Sequence, residues 1–189
     1  MSTPWELPTS LTVGGEEWKI RTDFRAVLDI LKYFADPDYE QDEKWAICLD
    51  ILYEDFEQMP HYFHEEAAKQ AVEFIDMGIR DDGKQKPTLM DWEKDAPIII
   101  PALNKEAGME VRSVPYMHWH TFLGHYMSIG ESLYAQDISI RAKREKGKKL
   151  EKWEQEFLKE NKELIELKRK KPGRSAEEKA ALDELFGRK

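Results

Sequence analysis

At 189 residues the chain has room for one ordinary domain plus an appendage, and is too short for two full-sized domains. Hydrophobic residues at 41% can supply a core, while a charged fraction of 35% implies that some part is almost all surface. The net charge of −9 is uneven: residues 1–140 hold 12 Lys+Arg against 27 Asp+Glu (net −15), and residues 141–189 hold 17 against 11 (net +6), so the body is poorly suited to phosphate backbones and the tail is set apart.

In chain order, "LTVGGEEWKI" (11–20) predicts a β-hairpin, with Gly14-Gly15 supplying the positive φ angles of a tight turn. "RTDFRAVLDILKYFAD" predicts a helix capped by Thr22 or Asp23, with Phe24, Val27, Leu28, Leu31 and Phe34 at helical spacing and Pro37 ending it. A second helix is expected over about 41–55, with Trp45, Cys48, Leu52 and Phe56 on one face. A third should start near Pro60 and bury Phe63, Ala67, Phe74 and Ile75. "GIRDDGKQKPTL" (78–89) is the clearest internal break. "MDWEKDAPIIIPALNKEAG" (90–108) reads as a helix between caps at Asp91 and Gly108, kinked or restarted near Pro97 and Pro101. "SVPYMHWHTFLGHYMSIGESLY" follows as one longer apolar helix opened by Ser113 and Pro115. The stretch from Lys143 to Lys171 is expected to form one long charged helix starting after Gly147, with Leu150, Trp153, Phe157, Leu164 and Leu167 at heptad a and d positions. A capping box at Ser175 and Glu178 opens a short final helix. The fold class is therefore mainly α, a helical body with a small N-terminal β-hairpin and a long charged C-terminal helix. Residues 1–140 form the acidic body and residues 141–189 a basic, charged extension.

Chemistry is scarce. Cys48, the single cysteine, excludes an internal disulfide and a cysteine-based metal cluster, and it fits a reducing cytoplasm. On an apolar helix face it reads as a buried, inert thiol. "PYMHWHTFLGHYMSIG" packs His118, His120 and His125 into eight positions. Read as one helix, His118 and His120 point about 200° apart and His120 and His125 about 140° apart, while His118 and His125 share a face about 10 Å apart. No pair chelates, so packed or partly solvated imidazoles are expected. Tyr116, Trp119, Phe122 and Tyr126 recur at helical spacing and are expected in the core. Asp81, Asp82, Asp91 and Asp95 read as solvated acids, and "HEEAA" (64–68) lacks the second histidine of a zinc-protease motif. No phosphate-binding glycine loop or nucleophile-elbow motif occurs. The opening "MSTPWELPTS" has no basic stretch followed by an apolar run, and no segment approaches the roughly 18 apolar residues of a membrane span. A soluble intracellular protein is expected, with no catalytic, metal or cofactor-binding residues.

Three segments together resemble the gene-product-fifteen family of siphophage tail modules: "LPTSLTVGGEEWKIRTDFR" (7–25), "MDWEKDAPIIIPALNKEAG" (90–108) and "PYMHWHTFLGHYMSIGESL" (115–133). The signatures fall at Leu7-Pro8, Thr22 to Arg25, Asp91 to Ala96 and His118-Trp119, and "SIR" at 139–141 resembles a further arginine-bearing stretch. At His120 the family often has a second aromatic. The resemblance covers about residues 5–145 and implies a tail assembly chaperone. Such a protein binds the long helical tape-measure protein and helps the tail tube assemble around it. It works in the bacterial host cytoplasm and is absent from the finished virion. The expected partners are the tape-measure protein, with the major tail protein and self-association as further expectations. The face Leu150, Trp153, Phe157, Leu164 and Leu167 is the candidate partner surface, and packing on the chain's own body or self-association is its alternative. A rival reading is a nucleic-acid-associated protein acting through the basic tail, which includes "KRKKPGR" (168–174).

Overall fold

The computed structural model describes residues 5–78 and 88–167. The chain divides into two compact units within the 78–89 stretch, and each described part belongs to one unit. Among the described residues the protein is mainly α-helical, with eight α-helices and a two-stranded sheet. No helix there is long and apolar enough to cross a membrane. The final helix, its capping box at Ser175 and Glu178, the 168–174 basic cluster and Asp81-Asp82 lie outside the described residues.

The N-terminal unit opens with β1 (Ser10–Val13) and β2 (Glu16–Lys19), paired antiparallel with Leu11 opposite Trp18 and Val13 opposite Glu16. Gly14 and Gly15 turn between them at φ 62° and 82°, both left-handed as a two-residue hairpin loop requires. Helix α1 (Phe24–Ala35) begins where the Asp23 carboxylate accepts the Arg25 amide, and Phe24, Val27 and Ile30 point into the core. Helix α2 (Gln41–Leu52) stops short of the expected 55 because Tyr53 leaves the helix to bridge Ile20. The Arg21 guanidinium supplies donors to the carbonyls of Asp50, Ile51 and Tyr53, oxygens that a helix end leaves without intrahelical partners. After Pro60 a single 3-10 turn, His61–Phe63, leads into α3 (His64–Ile75). Ala67, Ala71 and Phe74 of α3 are buried, and the Tyr53 hydroxyl donates to the Ala67 carbonyl at 2.9 Å. Cys48 is buried in this unit, and burial pushes its thiol up to about 12.

The C-terminal unit starts with α4 (Ala96–Ala107), which carries Pro97 in its first turn, where no amide is needed, and Pro101 inside, with its ring exposed. Gly108 ends it in the left-handed conformation. Next come α5 (Trp119–Met127) and α6 (Leu133–Glu145). The single apolar helix expected over 113–134 is thus two helices, and it opens at His118 rather than Ser113. The reason is local: His118 takes an extended backbone (φ −61°, ψ 139°) so that its Nδ1 accepts the His120 amide. Ser132 caps α6 by the same logic, accepting the Ala135 amide. Tyr116 precedes the helix and is exposed, so it is not a core residue.

The charged segment expected as one helix is helical in two pieces, α7 (Lys152–Glu160) and α8 (Lys162–Ile165). The break is at Asn161, whose backbone leaves the helical conformation (φ −116°, ψ 32°) and whose side-chain amide donates back to the Phe157 carbonyl, closing α7. The change in composition at Arg141 falls inside α6.

Candidate functional site

The signature residues of the C-terminal unit meet in one buried cluster. Its scaffold is the turn before α4. The Asp91 carboxylate accepts the amides of Glu93 and Lys94, and Asp95 Oδ2 accepts the Asp91 amide at 2.9 Å. These bonds fold residues 91–95 back on themselves and send Trp92 and Asp95 the same way, into the unit. Trp92 meets Trp119, Phe122 and Tyr126 at ring separations of 6.4, 6.1 and 4.8 Å, and Trp119 stacks on Phe122. The Tyr126 hydroxyl bonds to the Tyr134 hydroxyl and to the Met90 sulfur, carrying the aromatic layer from α5 to α6.

Beside this layer lies Arg141. Its Nη1 donates to Asp95 Oδ2 at 2.6 Å and to the Leu89 carbonyl at 2.9 Å. Its Nη2 donates to Asp95 Oδ1 at 2.8 Å and to the Leu164 carbonyl at 2.7 Å, while Nε donates to the Ile165 carbonyl at 2.9 Å. A guanidinium has five N–H donors, so all five are engaged. One side chain thereby fastens the segment before α4, the start of α4, its own helix α6 and the end of α8.

This accounting explains Asp137, one turn earlier on α6. Its Oδ2 lies 2.6 Å from Arg141 Nη2, but the donors of that nitrogen already point elsewhere. Neither Asp137 oxygen receives a hydrogen bond among the described residues, and the buried Lys94 Nζ makes none either. Asp137 is fully buried with a charge contact alone, and burial pushes its carboxyl up to about 6, against the pull of Arg141 and with Asp95 adding repulsion. Around Arg141 burial opposes the charge, but the Asp95 hydrogen bonds and both carboxylates outweigh it and keep the guanidinium charged. At the far end of α6, Lys143 Nζ pairs with the buried Glu154 of α7 at 2.7 Å.

Asp95 therefore corrects the sequence reading, which took it for a solvated acid: it is fully buried and holds Arg141 from both oxygens. Asp137 and Lys94 were not singled out at all. The available signal was in α6, where Tyr134, Asp137 and Arg141 fall on one helical stripe with buried Ile140. Charged side chains at apolar positions point to a buried pair. The histidines do not assemble: His118 is buried as a helix cap, His120 and His125 are half-buried, and the His118 and His120 rings sit edge to face at 5.1 Å. Among the described residues no group of three or more His, Cys, Asp or Glu could hold a metal.

The heptad residues divide between two helices. Trp153 and Phe157 are on α7, Leu150 precedes it, and Leu164 is on α8 with Leu167 beyond it. Leu150, Phe157, Leu164 and Leu167 are half-buried, and the Leu164 carbonyl is one of the Arg141 acceptors. Trp153 is 52% exposed.

A protein-family model described as Bacteriophage Gp15 protein matches residues 5–167. No match was found among curated proteins or among solved structures.

Proposed function

The chain belongs to the bacteriophage Gp15 family, and we propose that it serves phage assembly as a non-catalytic tail assembly chaperone. In this reading it binds the tape-measure protein in the host cytoplasm, keeps it soluble while the tail tube forms, and does not remain in the virion. The observation that carries the reading is Trp153. It is a large apolar side chain, half in solvent, on a helix rich in charged residues. Side chains of that kind bind an amphipathic partner, and the charged flanks keep the complex soluble. Phe157, one turn further along α7, extends the same apolar character. The buried charges of the C-terminal unit support the reading from the other side: Asp95, Asp137, Arg141 and Glu154 lie inward and bind segments of the protein to each other rather than facing solvent.

The test is capture of the tape-measure protein by the purified full chain, with a Trp153→Ser variant beside it. The reading expects capture by the wild type that survives high salt, because the contact is apolar, and weaker capture by the variant. Absence of capture by the wild type at any salt contradicts the chaperone reading. Equal capture by both contradicts only the assignment of Trp153.

A further inference from the structure

The turn from α6 to α7 concentrates positive charge. Gly147, at φ 62°, folds the chain tightly, and the Lys148 amide donates back to the Lys143 carbonyl at 2.8 Å. Arg144, Lys146, Lys148, Lys149 and Lys152 are all exposed around it, and none forms an ion pair among the described residues. Residues 143–152 hold 6 Lys+Arg against 2 Asp+Glu, a net of +4. Of the two acids, Glu151 is used in capping α7, and Trp153 adjoins the basic group.

The opposite charge is in the N-terminal unit. Residues 5–78 hold 18 Asp+Glu against 6 Lys+Arg, a net of −12. Asp50, Glu54, Asp55 and Glu57 stand exposed at the end of α2 and in the turn after it, without ion-pair partners among the described residues. Tyr62, 78% exposed, follows in the next turn. Each patch thus pairs a run of one charge with an exposed aromatic.

We propose that the basic α6–α7 turn docks on the acidic 50–57 stretch of a second copy of this chain, with Trp153 and Tyr62 supplying apolar contact. Two molecules of net charge −9 repel at long range. At physiological ionic strength, however, screening acts over about 8 Å, so complementary local patches govern the contact. The two patches are different surfaces, so the association is head-to-tail and builds rings or chains rather than isologous dimers. This inference shares Trp153 with the chaperone reading but rests on the two charged patches, so either can fail without the other.

Sedimentation velocity of the full chain tests it. At about 0.15 M salt the weight-average mass rises with protein concentration; it falls to the monomer at about 1 M salt, as the Debye length shrinks from roughly 8 to roughly 3 Å. A Lys148→Glu/Lys149→Glu/Lys152→Glu variant and a Glu54→Lys/Asp55→Lys/Glu57→Lys variant each remain monomeric alone, with unchanged helical circular dichroism. Mixing the two reversed variants restores association. A wild type that stays monomeric at about 0.15 M salt overturns the proposal, as does association that ignores salt and both variants, or a mixture that fails to associate. A monomer that binds an oligonucleotide through these lysines also overturns it, and assigns the turn to nucleic acid instead.

Discussion

Arg141 shows how much one side chain can hold when every donor has an acceptor. Removing it leaves Asp95 charged, buried and unpaired, which typically costs about 3 to 5 kcal/mol. Arg141→Met should lower the urea unfolding free energy by that order, and Asp95→Asn combined with it should cost less than the sum of the two single changes. Additive losses would mean that the two do not act as a pair. Asp137 makes a different prediction, because its carboxyl is raised from 3.8 to about 6 in the fold. Between those values the folded protein holds a proton that the unfolded chain has released. Its contribution to stability is therefore full below the lower value and lost as pH rises through about 6. Relative to Asp137→Asn, which does not titrate there, the wild type should gain stability as pH falls from 7 to 4. Parallel urea titrations across this window check it, and a pH-independent difference would contradict the burial account. These residues were hard to find in the sequence because the partners are remote. Asp95 and Arg141 are 46 positions apart, and one acid among many carries no mark of burial. The resemblance placed both inside family signatures without saying that they touch.

At the scale of elements, the hairpin and the first three helices were legible because their signals are local: paired glycines, an Asp cap, apolar spacing and a proline stop. Gly14 is needed twice over, for its positive φ and because a Cβ there would overlap the Phe63 ring, whereas a Cβ on Gly15 meets nothing. Gly14→Ala should therefore cost more than Gly15→Ala, where the backbone strain of about 1 kcal/mol acts alone. Thermal melts of the two variants decide this, and equal losses would show that Phe63 moves aside freely. The later helices were misjudged in length because side chains end them: His118 Nδ1 opens α5, and the Asn161 amide closes α7. Periodicity registers apolar spacing and does not register a polar side chain bonding back to the backbone. On the charged segment, Trp153 and Ile165 should separate binding from stability. Trp153→Ser should change stability by no more than about 0.5 kcal/mol, while Ile165→Ala, at a site 1% exposed, should cost about 2 to 5 kcal/mol. Chemical denaturation of both tests this division, and a large loss for Trp153→Ser would place that side chain in the fold rather than on a binding surface.

For the whole molecule, the mainly helical class with an N-terminal hairpin was readable from composition and spacing, and so was the break in the 78–89 stretch, where glycine, proline and charge crowd together. Membership of the bacteriophage Gp15 family was readable from the order of the signatures. Function was less so, because a binding surface and a core stripe use the same apolar side chains; only burial separates the exposed Trp153 from the buried Ile165. The central claim is that this protein keeps the tape-measure protein soluble without chemistry of its own. The most direct measurement is the amount of soluble tape-measure protein recovered from cells that express it with and without this chain, with size-exclusion chromatography of the soluble fraction. The account predicts that the tape-measure protein becomes soluble only with the chain present and elutes together with it. A tape-measure protein that stays insoluble with the chain abundant and folded beside it, or one equally soluble without the chain, would contradict it.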